Sequence, residues 1–444
     1  MTKRPRAAIL SVGDELVLGE KLDTNSMWLA DQLGRLGLLV TEHRTVPDDL
    51  EELSNVMQEM AATADALLVG GGLGPTADDL TREAFAAALG SLTGVPQPLV
   101  EDAASIQEIR ERFAMAGREM PESNRVQALR PEAARRLPNA FGTAPGMLYQ
   151  GEASDSARLI ACLPGPPREM QPMFESSVAP LLRSLPGIRH AELRVVQVFG
   201  LGESEVATRI AGLMQRSNNP AVGTTASSGM VTCRVRVEPS EAVRGPYQTD
   251  EPVAAVDEAI AAIEQATGRF VVGYREEPLE AFLLEEATER GVMISTAESC
   301  TGGLLSELIT GRAGSSEAYA GGWVTYSNAM KQRELGVPGE LLQRHGAVSG
   351  EVARAMAAGA LERSGAGLAL SVTGVAGPGG GTSEKPVGTV WIGCATSDQA
   401  PIAKRFRFAG GRGSIRRWTA NTALFIGLQA LRGRLEDRLL RETT

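Results

Sequence analysis

The chain has 444 residues, a formal net charge of −10 and four cysteines, a length that suits roughly two to four domains. The acidic balance argues against general nucleic-acid affinity. Cys162, Cys233, Cys300 and Cys394 are scattered with no CxxC pair, which excludes a zinc ribbon and fits a reducing cytoplasm; no apolar run approaches the ~20 residues of a membrane span.

Ala7 to Val12 reads as a first strand, not a signal peptide, because its apolar run is short and enters Gly13-Asp14-Glu15. A helix capped by Thr24 or Asn25 carries Leu29, Leu33 and Leu36 and closes at Gly37; Asp65 to Val69 is a second strand. Strands alternating with helices imply a parallel sheet over residues 1–175, with ligands bound beyond the carboxyl ends of its strands. Two polar clusters fall there, Gly13-Asp14-Glu15 and Gly70-Gly71-Gly72-Leu73-Gly74-Pro75-Thr76-Ala77-Asp78-Asp79. The glycines permit an anion nest. Asp14, Glu15, Asp78 and Asp79 could supply oxygen ligands to a divalent cation. The alternative is a glycine-rich turn leading into a helix. No lysine follows, so it is not a Walker loop. Arg168, after a proline-rich turn, suits either a phosphate or plain solvent.

Residues 176–273 read strand, helix, strand, strand, helix, strand. The strands lie at Val195–Phe199, around Gly223, at Thr232–Val237 and at Phe270–Val272, and the helices at Glu203–Met214 and Val253–Ala266: a small α+β module. Glu238 to Pro252 reads as an exposed loop and Tyr274 to Pro278 as a linker.

The third part, 274–444, carries the strongest motif, Thr296-Ala297-Glu298-Ser299-Cys300-Thr301-Gly302-Gly303. A strand-like run, Val292 to Ile294, enters it and a helix-like run, Leu304 to Ile309, leaves it. Ser299 thus sits on a strand-to-helix turn where glycines let a ligand approach and backbone N–H groups from Cys300 to Gly303 can face an oxyanion. The alternative is a helix-capping turn. His345 could serve as a base or merely bond the backbone; His43 and His190 lie outside this part. Cys300 has no histidine or second cysteine near it in sequence and reads as packing. Gly410-Gly411-Arg412-Gly413-Ser414 precedes a helix with Arg416 and Arg417 in its first turn, which suits a phosphate or a solvated face. Gly377 to Thr382 reads as a flexible loop.

The ordered series Thr296–Gly303, Gly314-Ser315-Ser316, Gly322–Asn328 with Lys331, His345–Ser349, Ser371–Pro378 and Lys385–Val390 resembles the C-terminal domain of CinA proteins, the nicotinamide-nucleotide amidase family, over about residues 275 to 435. The resemblance implies an α/β amidase that converts nicotinamide mononucleotide to nicotinate mononucleotide and ammonia without a cofactor. It also points to Lys331 as the base for Ser299, with Tyr326, Ser316 and Thr373 relaying protons or orienting the amide; Ser316 stays open as a rival nucleophile. Residues 1–175, through Gly13–Leu16, Gly19-Glu20, Asp23–Ser26 and Leu163–Met170, resemble the molybdopterin-binding-like domain of the same family. There the resemblance implies an ADP-ribose pyrophosphatase that uses a divalent metal of the Mg or Co type. A non-catalytic pterin or nucleotide binder, and a competence or DNA-damage scaffold, are the alternatives. The middle module resembles the family's KH-like domain. Its Gly200-Leu201-Gly202-Glu203 is acidic and lacks the basic GxxG loop of RNA binders. A cytoplasmic homodimer without direct nucleic-acid or membrane contact is the expectation.

Overall fold

The computed structural model describes residues 4–151, 159–188, 192–238, 242–435, 438–439 and 441–443. His190 and part of the expected 238–252 loop lie outside the described residues. The chain forms two compact units, one of residues 1–192 with 238–240 and one of 193–237 with 241–444.

In the first unit, a six-stranded sheet runs in the order Leu39–Val46, Arg6–Val12, Ala66–Gly70, Leu159–Leu163, Gly146–Gln150, Arg135–Leu137. The first four are parallel. The last two are antiparallel, so the sheet is mixed and not wholly parallel as the sequence suggested. Its central strands are apolar on both faces because helices cover both. Ala8 and Leu10 pack with Leu53, Met57 and Phe85 of helices Leu50–Thr63 and Thr81–Thr93. Ala7 and Ile9 point the other way, to Leu29 and Leu33 of helix Thr24–Arg35 and to Met170 and Phe174. That helix is capped by Asp23, not by Thr24 or Asn25; the Asp23 carboxylate accepts from Ser26 N at 2.9 Å.

The second unit holds two sheets over a shared core. The smaller runs Ala221–Ser227, Met230–Val237, Glu192–Phe199, Val271–Gly273. Helix Glu203–Arg209 ends five residues before the expected Met214, and helix Pro252–Thr267 covers the sheet. Gly200 has φ 93°, and a Cβ there would stand 3.0 Å from Phe270 and 3.5 Å from Phe425. The glycine corner of this KH-like module is therefore buried against the C-terminal domain.

The larger sheet runs Tyr319–Val324, Ile294–Glu298, Leu368–Gly374, Thr389–Thr396, Ile402–Arg407, Glu442–Thr443, with the first three parallel. Helices Leu279–Glu289 and Arg412–Leu431 pack on one face and Gly350–Ser364 on the other, the latter through Val352, Met356 and Ala360 against Ala297 and Ala369. The parallel centre places Glu298, Val324 and Gly374 at one end of the sheet, with the loops that follow them. Among the described residues no helix is long and apolar enough to cross a membrane.

Candidate active site

Strand Ile294–Glu298 runs directly into the motif turn, so Ser299 is the first residue beyond the sheet. Its N–H donates to Val372 O at 3.0 Å, which fixes its height above the strand ends. Gly302 and Gly303 follow with φ of 58° and 97°, a pair of left-handed residues that side-chain-bearing residues rarely adopt. Helix Leu304–Thr310 then begins. Ser299 itself is half-buried, with its hydroxyl at the base of the turn.

Lys331 approaches from the neighbouring crossover. Ser327 caps the short helix Asn328–Leu335, accepting from Met330 N at 3.2 Å. Four residues later on that helix Lys331 faces inward, with Leu335 one turn below; they are 1% and 2% exposed. The Lys331 Nζ lies 3.0 Å from Ser299 Oγ, 2.7 Å from Thr325 O and 3.4 Å from Tyr326 O. No carboxylate pairs with it among the described residues, and burial lowers its amine from 10.5 to about 8. A neutral amine has two N–H bonds and one lone pair. In the structure the amine donates to Ser299 Oγ; once neutral, with Thr325 O and Tyr326 O accepting its two protons, it would present its lone pair to that hydroxyl. This is the geometry of a serine nucleophile with a lysine base.

Glu298, fully buried, organises the turn. Its carboxylate accepts from Gly303 N (2.9 Å), Leu305 N (3.0 Å), Ser306 N (2.8 Å) and Ser306 Oγ (2.6 Å). It therefore satisfies the N-terminal donors of the helix behind Ser299. Sequence reasoning passed over this residue, and its consequence is a correction: Gly303 N–H is not free for an oxyanion, and Gly302 N–H donates to Ser299 O at 3.2 Å. Of the turn's remaining N–H groups, those of Cys300 and Thr301 bond to no other residue among the described ones, and the Cys300 N–H turns toward its own thiol. Burial pushes the Cys300 thiol up to about 12, so it stays protonated and is no rival nucleophile.

The arginines divide. Arg416 donates to Thr301 O through Nε at 3.1 Å and also through its terminal nitrogen, pinning the turn from outside. Arg412, in the first turn of the same helix, donates to Gly377 O at 2.8 Å and to the Tyr326 hydroxyl at 3.2 Å. The sequence reading left Arg412 out of the site, although 412 and 416 share a helix face. Arg417, expected beside Arg416 as a phosphate anchor, instead lines a separate cavity with Glu280 and Leu308.

Tyr326 is exposed at the rim, and the Thr373 hydroxyl donates to Ala347 O at 2.8 Å. Ser316 is displaced. It precedes Tyr319, which pairs with Ile294 at the opposite end of the strand from Glu298. Five residues of strand at about 3.3 Å each separate it from Ser299, so it is neither relay nor rival nucleophile. His345 faces Glu351, 3.8 Å away, and its carbonyl accepts from Lys385 Nζ at 2.8 Å.

In the first unit the expected metal set does not assemble. The Asp79 oxygens are taken by Gly74 N (2.7 Å), Thr76 N (2.9 Å) and the Thr76 hydroxyl. Asp14 and Asp48 exchange bonds, Asp14 N to Asp48 Oδ2 at 3.0 Å and Asp48 N to Asp14 Oδ1 at 3.1 Å, while Glu15 pairs with Lys21 at 3.3 Å. Among the described residues no three acidic, thiol or imidazole groups are placed to hold an ion together. Asp14, Glu15, Asp78 and Asp79 thus do not fit a preformed centre. Asp48, which the sequence reading missed, shares their corner: burial, then the charges of Asp14, Asp78 and Glu15, raise its carboxyl.

The glycine loop is also corrected. A Cβ at Gly71 would stand 2.5 Å from Val12 O, and side chains at Gly72 and Gly74 would collide with Thr81 and Asp79. Packing, together with left-handed backbone at Gly71 and Gly72, demands these glycines, and the Gly71 N–H (to Leu163 O, 3.0 Å), Gly74 N–H and Thr76 N–H are already bonded. Nearby, Asn25 donates to Gly165 O at 2.6 Å, its buried Oδ1 has no partner, and Arg168 projects into solvent.

Three family models match the chain: a probable molybdopterin binding domain over residues 8–184, the damage-inducible protein CinA KH domain over 193–273, and the CinA C-terminal domain over 276–431. A CinA-like protein of Geobacter sulfurreducens is 40% identical over 424 residues, 94% of this chain and 97% of that one. One from Dictyoglomus thermophilum is 37% identical over 94% of this chain and 97% of its own. Among solved structures, a competence/damage inducible protein, CihA, of Agrobacterium tumefaciens is 46% identical over 35% of this chain and 93% of its own, with a TM-score of 0.34.

Proposed function

The chain belongs to the CinA family, and from that premise we propose that its C-terminal domain hydrolyses the carboxamide of nicotinamide mononucleotide, giving nicotinate mononucleotide and ammonia. The observation that carries this reading is the buried Lys331 amine 3.0 Å from Ser299 Oγ, with its proton affinity lowered to about 8. Neutral Lys331 takes the Ser299 proton as Oγ bonds to the carboxamide carbon. The oxyanion that develops faces the N–H groups of Cys300 and Thr301. The Lys331 ammonium returns the proton to the departing nitrogen, the C–N bond breaks and ammonia leaves. Lys331 then deprotonates a water that opens the acyl ester and frees Ser299. Arg412 and the N-terminus of helix Arg412–Leu431 are the phosphate anchor in this reading, and Arg416 holds the turn. Formation of ammonia and nicotinate mononucleotide by the purified protein in EDTA tests it; no turnover under those conditions sinks it.

For the first unit we propose binding of a nucleotide such as ADP-ribose, supported by the unpartnered Asn25 Oδ1 next to Gly165 and the exposed Arg168 at the strand ends. AMP release from ADP-ribose on adding magnesium or cobalt supports cleavage; saturable binding without release makes the unit a binder.

A further inference from the structure

A cavity of about 510 Å³ lies within the second unit, away from Ser299. One wall is the hairpin from Thr225 to Thr232, another the segment Glu276–Glu280, and the floor is Leu308 with Arg417 and Asn421. Glu280 is 9% exposed. Among the described residues no cation lies within ion-pair distance of its carboxylate; burial raises it, and a bond to its own backbone N–H and the charges of Arg312 and Arg417 oppose that rise. Attraction to two guanidinium groups beyond contact distance offsets the burial of a carboxylate less than direct hydrogen bonds would. Arg417, an exposed side chain, lines the same space and its charge acts on Glu280, with no hydrogen bond or close ion pair of its own among the described residues. Arg234 is already committed, to Thr225 Oγ1 at 2.7 Å and to Glu276. Met230, Pro278 and Leu308 give the cavity an apolar side.

We propose that this cavity is a second ligand site, for a ribonucleoside 5′-phosphate. A carboxylate that lacks donors suits ribose hydroxyls. The Arg417 guanidinium, with no close hydrogen-bond partner, suits a phosphate, and the apolar side suits a base. The volume falls in the range of small-ligand pockets. The site also touches the catalytic framework. Leu308 is on the helix that follows the Ser299 turn, and Arg417 adjoins Arg416, which holds Thr301 O. A phosphate on Arg417 therefore pulls on the helix that pins the nucleophile turn.

The test is a calorimetric titration of the full chain with AMP, for the wild type and for Glu280→Gln, Arg417→Gln and Arg412→Ala. One binding event should weaken about tenfold or more in Glu280→Gln and in Arg417→Gln, and the same event should survive Arg412→Ala. Asn421→Asp, at the less buried edge of the cavity, should weaken it too by repelling the phosphate, which keeps the test valid if Glu280→Gln disturbs packing. Absence of AMP binding at millimolar concentration, or an event indifferent to Glu280, Arg417 and Asn421, overturns the proposal. The titration reads no turnover, so its result is independent of whether Ser299 hydrolyses an amide.

Discussion

The dyad makes a quantitative statement about pH. With the Lys331 amine at about 8 in place of its ordinary 10.5, roughly one molecule in ten is neutral at pH 7, against about one in three thousand for an ordinary lysine. Only the neutral form accepts the Ser299 proton, so activity rises with pH. Below about pH 8, kcat/KM for nicotinamide mononucleotide should climb about tenfold per pH unit, flattening above it, for a total gain of about ninetyfold between pH 6 and pH 9. The assay is initial ammonia release in a constant-ionic-strength buffer series, repeated with Lys331→Arg, whose guanidinium cannot be deprotonated and which should be inactive across the range. A plateau reached already at about pH 7 would point to a histidine base and refute the reasoning. A tenfold climb continuing past pH 10 would show that burial does not depress Lys331.

Other consequences are separable. Glu298→Gln replaces an acceptor of four hydrogen bonds with a group that turns one donor toward backbone N–H groups. It should cost about 2–4 kcal/mol of stability in denaturant unfolding and lower kcat more than it raises KM. Arg412→Ala should raise KM for nicotinamide mononucleotide about tenfold or more while leaving turnover of the phosphate-free riboside little changed; equal losses on both substrates would place the phosphate elsewhere. Because the Cys300 thiol is held up at about 12, iodoacetamide at pH 8 should leave ammonia release intact, and inactivation with a mass adduct on Cys300 would contradict its packing role.

Sequence carried much of Ser299's setting and little of its surroundings. Ser299 is legible because a strand, two left-handed glycines and a helix lie consecutively in the chain. Lys331 is reached only through family resemblance; its burial follows from helix phase relative to Leu335, a tertiary fact. The opposite ends assigned to Ser299 and Ser316 follow from the parallel crossover between Ile294–Glu298 and Tyr319–Val324, which reverses what closeness in sequence suggests. Helical phase separates Arg412 and Arg416 from Arg417, a signal present in the sequence but unused. Glu298 looks like one more polar residue of a motif until its carboxylate is seen folded back on the next helix. In the first unit, glycines that suggested an anion nest are explained by Val12, Thr81 and Asp79 packing against them. Asp48 escaped notice because Leu39–Val46, two residues before it, was not read as a strand.

The most direct trial of the central claim is ammonia release from nicotinamide mononucleotide by Ser299→Ala, Lys331→Ala and Ser316→Ala proteins measured side by side with the wild type. Loss of about a thousandfold or more in the first two, with Ser316→Ala unimpaired, is the predicted pattern. Activity persisting in Ser299→Ala, or lost in Ser316→Ala with the fold intact, would contradict it.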